Sequence, residues 1–245
     1  MKPLLRWVAL VALALLLLQL FFVARIATMV VLDPQSTTFQ RSEAWRIAND
    51  KGTLAWRQQW VPYAQISDHL KRAVIASEDD GYVDHDGVDW DAIEKAWARN
   101  SRAEEQAQRR AAAARNARNS RAPKVVGGST ISQQLAKNLL LSGERTLLRK
   151  GQELVLTLLL ELMLDKQRIL EIYLNNVEWG TGVFGAQAAA EHYFRKPASR
   201  LSAYEAARLA VMLPRPKYFE KLSQSAYLSG RAATIVDRMP HAQLP

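Results

Sequence analysis

The chain has 245 residues, no cysteine and a formal net charge of +9. That length allows one or two domains with a real core, and the lack of cysteine excludes disulfides and thiolate metal sites. The charge is concentrated: Arg99 to Lys124 holds seven Arg and one Lys against two Glu, which is +6 of the total, so the rest of the chain is only mildly basic.

Trp7 to Ala24 is a run of eighteen residues, apolar except for Gln19, with Lys2 and Arg6 before it and Arg25 after it. About twenty apolar residues cross ~30 Å of hydrocarbon as a helix, and Ile26 to Leu32 lengthens the run. The pattern predicts an uncleaved transmembrane anchor over residues 7–32, after a short tail at 1–6. A cleaved signal peptide is the competing reading, but its apolar region is about 7–15 residues long and ends in a small-x-small site. No clean A-x-A follows here. The basic flank puts residues 1–6 in the cytoplasm and the remainder of the chain on the far side of the membrane.

Asp33-Pro34 closes the apolar run. A polar stretch over 33–60, a linker or the start of the domain with room for one extended piece, leads into a helical domain over 61–245. Helical periodicity is expected over 66–76, 88–99, 130–141, 147–164, 166–175, 185–194 and 202–213, with a last helix from after Tyr218 to about Met239. No recurrent strand alternation appears, so the predicted fold class is all-α. The segment 99–124 contains helix formers but no apolar stripe, and reads as a mobile, solvated basic insertion. It has no aromatic residue on which a base could stack, so nucleic acid is not an expected partner. An anionic membrane surface and a plain solvated loop remain as its two readings.

Three stretches carry candidate chemistry. The first is SEDDGYVDHDG, Ser77 to Gly87, with five carboxylates and a histidine in eleven positions. Glu78 ends an apolar helix, where partial burial would raise its pKa and make it a general base near neutral pH. Asp80, Asp84, Asp86 and Asp89 are assigned to turn chemistry and solvation. An EF-hand is excluded because Gly87 comes one liganding position too early. The second stretch is GGSTISQQLAKN, Gly127 to Asn138. Thr130 and Gln133 fit a capping box, so the glycines lead into a helix N-terminus, which favours an anion; a well-capped helix and nothing more is the alternative. The third is ERTLLRKGQELVL, Glu144 to Leu156. Arg145, Arg149 and Glu153 share one helical face, with Lys150 beside them, either as an exposed ion-pair ladder or as a phosphate-handling site. Combined, one carboxylate could take a proton from a hydroxyl while Lys137, Arg145, Arg149 and Lys150 neutralise a pyrophosphate leaving group. The anchor points to a lipid-linked substrate.

These stretches together resemble the peptidoglycan glycosyltransferases of glycosyltransferase family 51, and among them the monofunctional, membrane-anchored biosynthetic members. The family's E-D-x-x-F-x-x-H-x-G is matched by Glu78, Asp79, His85 and Gly87, with Tyr82 where Phe is usual. G-G-S-T-I-S/T-Q-Q is Gly127 to Gln134 without a gap, and R-K-x-x-E is Arg149, Lys150 and Glu153. K-x-x-I-L-E-x-Y-L-N runs from Lys166 to Asn175, and a fifth motif is Leu213-Pro214-Arg215-Pro216. The resemblance covers roughly Val61 to Tyr218, plus the anchor. It implies a lysozyme-like helical fold with a small jaw subdomain near the membrane. The implied activity is polymerisation of lipid II into β-1,4 glycan with inversion and release of undecaprenyl pyrophosphate. By resemblance Glu78 is the general base and Glu153 the second essential carboxylate. Ser129, Gln134, Lys137, Arg145, Arg149 and Lys150 match donor-binding positions, while Asp79, His85, Thr130 and Gln133 support them. Some members use a divalent cation, magnesium or manganese, at the pyrophosphate; no dedicated metal-ligand pattern is present here. Expected partners are lipid II, the growing strand, membrane lipids and other cell-wall synthesis or division proteins. The expected location is the bacterial inner membrane with the catalytic domain in the periplasm. Tyr82 brings a hydroxyl that needs a partner if it is buried.

Two rivals stand beside this reading. A lytic enzyme of lysozyme-like fold would also carry a catalytic Glu, but would have no use for clustered cations beside a second carboxylate, because its leaving group is a sugar hydroxyl. A tethered binding protein would bind with a steep salt dependence and could dispense with Glu78 and Glu153.

Overall fold

The computed structural model of the protein describes residues 2–113, 127–141 and 146–245. Arg145 and the part of the basic segment beyond residue 113 lie outside the described residues. The fold is dominantly helical with one small sheet. Helix α1 (Lys2–Thr28) carries the apolar stretch, and its Pro3–Thr28 portion is long and apolar enough to cross a membrane as a single pass. At about 1.5 Å per residue, its 27 residues reach ~40 Å.

The stretch expected to be a linker is largely structured. Helix α2 (Thr38–Lys51) is set by a capping box between Thr37 and Gln40 and closed by Gly52 in the left-handed conformation. It is held to the domain by buried Ile47, by Phe39 edge-on to Phe184, and by polar contacts. Thr38 donates to the Leu139 carbonyl at 3.0 Å, and Gln40 to the Asn176 carbonyl at 3.2 Å. The short strand β1 (Arg57–Gln58) follows. It pairs parallel to β3 (Val183–Phe184), which in turn pairs antiparallel to β2 (Glu178–Gly180).

The core sits among α3 (Asp68–Glu78), α9 (Ala203–Met212) and α11 (Ala226–Arg238). Leu70, Ala73 and Val74 of α3, spaced to share one face, are fully buried, as are Ala206, Leu209 and Ala210 of α9 and Leu228 and Ala232 of α11. Many of these are alanines, so the axes can approach closely. Helices α5 (Ile131–Leu140), α6 (Leu147–Met163), α7 (Lys166–Asn176) and α8 (Ala186–Phe194) complete the body. The C-terminal region holds two helices where one was expected: α10 (Pro216–Glu220), opened by a proline at its first position, and α11 after a turn.

Helix α4 (Trp90–Ala113) does not stop at Arg99; the first part of the basic segment continues it. Trp90 and Trp97 are exposed, as are Leu147, Leu148 and Leu162 of α6. The anchor is joined to the domain. Phe22, Ile26 and Met29 are buried against it, and the Gln19 and Gln152 amides exchange hydrogen bonds at 3.0 and 3.2 Å. Arg168 donates to the carbonyls of Met29 and Leu32 at 2.9 and 3.1 Å and pairs with Asp33 at 2.8 Å.

Candidate active site

Glu78 is the last residue of α3, half-buried, and it lines a cavity of about 160 Å³ with Ser129, Thr130, Gly127 and Gly128. Gln134 Nε2 donates to Glu78 Oε2 at 3.0 Å. The amide is turned that way because the Tyr173 hydroxyl donates to its other end, Gln134 Oε1, at 3.0 Å. Burial raises the Glu78 pKa above the ordinary carboxyl value, the Gln134 bond pulls it back, the Asp79 charge raises it further and Lys137 lowers it. The net direction is upward, as a general base working near neutrality requires. Tyr173 is fully buried and held protonated, so it serves as a fixed donor.

Asp79 is the organising acid. Its Oδ2 accepts from Ile131 N–H at 2.9 Å and its Oδ1 pairs with His85 Nε2 at 2.9 Å. The helix N-terminus that sequence analysis offered to a ligand anion is therefore met at that N–H by the protein's own carboxylate. Gly87 N–H donates to His85 Nδ1 at 3.1 Å, which makes Nδ1 the acceptor and leaves the proton of the neutral ring on Nε2, facing Asp79. Burial works to lower the His85 pKa, but the hydrogen bond and charge of Asp79 outweigh it and the net shift is upward. His85 thus ties the backbone of the turn at Gly87 to Asp79.

Thr130 and Gln133 form the predicted capping box at the start of α5, and the Thr130 hydroxyl also donates to the Gly87 carbonyl at 2.6 Å. Gly87 has φ +85°, and a Cβ there would stand 2.8 Å from both Glu161 and Thr157, so no larger residue fits. The Tyr82 hydroxyl finds its partner: the ring is fully buried and donates to the Lys166 carbonyl at 2.7 Å.

The second cluster lies on α6. Glu153 is buried, paired with Arg149 at 2.9 Å and with Lys150. Arg149 Nε is buried without a hydrogen-bond partner among the described residues. Arg145 falls outside the described residues, so the i, i+4, i+8 row is seen only in its second half. Lys137 is on α5, one turn beyond Gln134, and close enough to act on Glu78. The two clusters are linked through Thr157: its hydroxyl donates to the Glu153 carbonyl at 2.8 Å, and its methyl faces Gly87.

Sequence reasoning did not assign a role to Glu161. This carboxylate accepts from Ser132 and pairs with Lys166 at 2.9 Å, and Lys166 also donates to the His85 carbonyl at 2.6 Å. It ties α5, α6, α7 and the acidic turn into one network. The clue in the sequence was one charged residue within the long apolar run of α6.

Residues 49–240 match the profile of the transglycosylase family. The chain belongs to the transglycosylase family. Its relatives include a biosynthetic peptidoglycan transglycosylase of Burkholderia thailandensis, 52% identical over 227 residues, covering 93% of this chain and 82% of that protein. Another, of Paraburkholderia xenovorans, is 49% identical over 244 residues, covering 98% of this chain and 94% of that protein. The family match begins at residue 49, within α2. For a transglycosylase, the two acidic clusters divide in a chemically sensible way: one carboxylate with a raised pKa beside a cavity, and one neutralised by cations.

Proposed function

We propose that this transglycosylase polymerises lipid II into β-1,4 glycan, with Glu78 as general base. The observation that carries the proposal is the Tyr173–Gln134–Glu78 chain, which fixes a carboxyl of raised pKa on a residue that lines the cavity with Ser129. Glu78 takes the proton from the acceptor's 4-hydroxyl as that oxygen attacks C1 of the donor. The new C–O bond forms on the face opposite the departing phosphate, so α becomes β. The electron pair of the breaking bond goes to undecaprenyl pyrophosphate. Lys137, Arg145, Arg149 and Lys150 neutralise its charge as it leaves. Glu153 holds Arg149 and Lys150 in position for that role. Ser129 and Gln134 contact the donor, and Asp79, His85, Thr130 and Gln133 keep the turn and α5 in register.

A divalent cation at the pyrophosphate would find one carboxylate among the described residues of this cluster, Glu153, and both of its oxygens are already taken by cationic side chains. The described residues do not by themselves build a cation site there, and no step is routed through one. The anchor would lie in the inner membrane with residues 1–6 in the cytoplasm and the domain in the periplasm, beside lipid II and the machinery that cross-links the product.

The test is polymerisation of labelled lipid II by the full-length protein in detergent. Wild type is expected to give long, lysozyme-digestible glycan. Glu78→Gln is expected to lose at least 10²-fold in rate, the usual scale for a general base. Polymer from both proteins at equal rates would remove Glu78 as the base. Cleavage of glycan without synthesis would overturn the polymerase reading altogether.

A further inference from the structure

Two arginines line the cavity beside Glu78 that none of the matched motifs contains. Ala92 and Arg99 stand seven residues apart on α4, hence on one face, and both line the cavity, as does Arg238 from the last turn of α11. Gly128 sets how closely α4 approaches. A Cβ there would lie 3.2 Å from Ile93 Cα and 3.3 Å from the Ala92 carbonyl oxygen. The start of the basic segment is thereby laid along the catalytic cavity rather than away from it.

The acids on the same walls are largely committed. Asp79 is held by His85 and Ile131 N–H, and Asp89 accepts from Ala92 N–H at 2.7 Å. Arg99 donates from Nε to the Lys95 carbonyl of its own helix at 3.2 Å, and its other guanidinium donors have no partner among the described residues. Arg238 pairs with Asp80 at 3.1 Å, with the two side chains 41% and 60% exposed. So exposed a pair adds little to stability, and Asp80 can give way to a ligand carboxylate at small cost. The Asp80 pairing shows that the guanidinium is already oriented for a carboxylate. A planar guanidinium matches that group in a way a lysine does not.

We infer that Arg99 and Arg238 form a subsite for peptide carboxylates of the acceptor. The inference rests on the proposed function. If Glu78 faces the acceptor's 4-hydroxyl, the next sugar of the acceptor disaccharide is the muramyl unit, whose stem peptide bears free carboxylates. That peptide leaves the sugar next to the one that attacks, and its flexible chain can turn a carboxylate back to the cavity wall on which the arginines stand. Arg238 exchanges Asp80 for a substrate carboxylate, and Arg99 adds a second positive charge. The subsite is separate from the pyrophosphate-facing cations, which lie on α5 and α6.

The test compares steady-state kinetics of full-length wild type, Arg99→Gln, Arg238→Gln and Asp80→Asn on two substrates: lipid II with free peptide carboxylates, and lipid II with those carboxylates converted to amides. On the free-acid substrate each arginine variant is expected to raise KM roughly tenfold with kcat retained, the scale of one lost charge-assisted hydrogen bond. On the amidated substrate the variants and wild type should coincide. Asp80→Asn should leave KM unchanged or lower it, because it frees Arg238. If Asp80→Asn instead reproduced the Arg238→Gln loss, Arg238 would be a prop for the turn and the subsite would fall. Equal losses on both substrates, or no change in KM for either arginine variant, would overturn it as well. Failure of wild type to make polymer from either substrate would strike the proposed function, not the subsite.

Discussion

Glu78 shows how a single residue trades stability for reactivity. Burial and the Asp79 charge raise its pKa against the pull of Gln134 and Lys137, so the ionised form is penalised in the folded state relative to the unfolded chain. An acid shifted this way has its full stability below the unfolded pKa and loses it as pH rises through the folded pKa. Near neutral pH, Glu78→Gln is therefore expected to melt higher than wild type, and the gap should close as pH falls through the raised pKa. Thermal melts of both proteins from pH 4 to 8 would read this, and a gap that widened toward acid would refute the sign. Polymerisation by wild type should decline over the same range, because only the ionised carboxyl accepts a proton. Glu78 was legible in the sequence because it ends an apolar helix, whereas Asp79 and His85 were named only through the family resemblance. The partner of the Tyr82 hydroxyl was not legible, since the Lys166 carbonyl lies 84 residues away. Nor was the orientation of the Gln134 amide, which depends on Tyr173.

Helix α5 was legible to within a residue because its start is written in local chemistry: two glycines, Thr130 and Gln133. What it faces was not, because Asp79 reaches it through the fold. Thr130 now has two duties, accepting from Gln133 N–H at 3.2 Å and donating to the Gly87 carbonyl. Thr130→Ala should destabilise by at least the ~1 kcal/mol of a lost cap, and by more because the buried Gly87 carbonyl loses its donor. Thr130→Ser keeps both bonds and should recover most of the loss. Urea unfolding measures the difference; a Thr130→Ala variant within ~0.3 kcal/mol of wild type would show the cap to be unimportant. Helix α4 gives the opposite lesson. Its apolar stripe ends near Arg99, but Ala, Arg, Glu and Gln are strong helix formers, and no glycine or proline interrupts them before Pro123. Loss of a stripe removes a reason to be buried, not a reason to be helical.

At the scale of the whole molecule, local pattern stops being informative. The strands are two or three residues long, too short to show a period of two, and β1 pairs with β3 more than a hundred residues later. The same is true of the anchor. Its apolar run predicts one task, crossing the membrane, and Gln19 stands out there only as the polar residue. In the fold Gln19 meets Gln152, one residue before Glu153, so the anchor is bound to the helix that carries the second carboxylate. An amide within the apolar span needs a partner, because no water replaces one. Gln19→Leu would leave Gln152 unpaired, Gln152→Leu would leave Gln19 unpaired, and the double variant leaves neither. The two substitutions should therefore be non-additive. In bicelles, thermal unfolding of the four proteins should give a coupling of about 0.6 kcal/mol, and no more than ~1.7 kcal/mol, the range for hydrogen bonds between membrane helices. Strict additivity would mean that the anchor is only a tether. Coupling of the expected size would mean that α6 is positioned partly by the membrane helix, and that cutting the anchor away changes the catalytic domain itself.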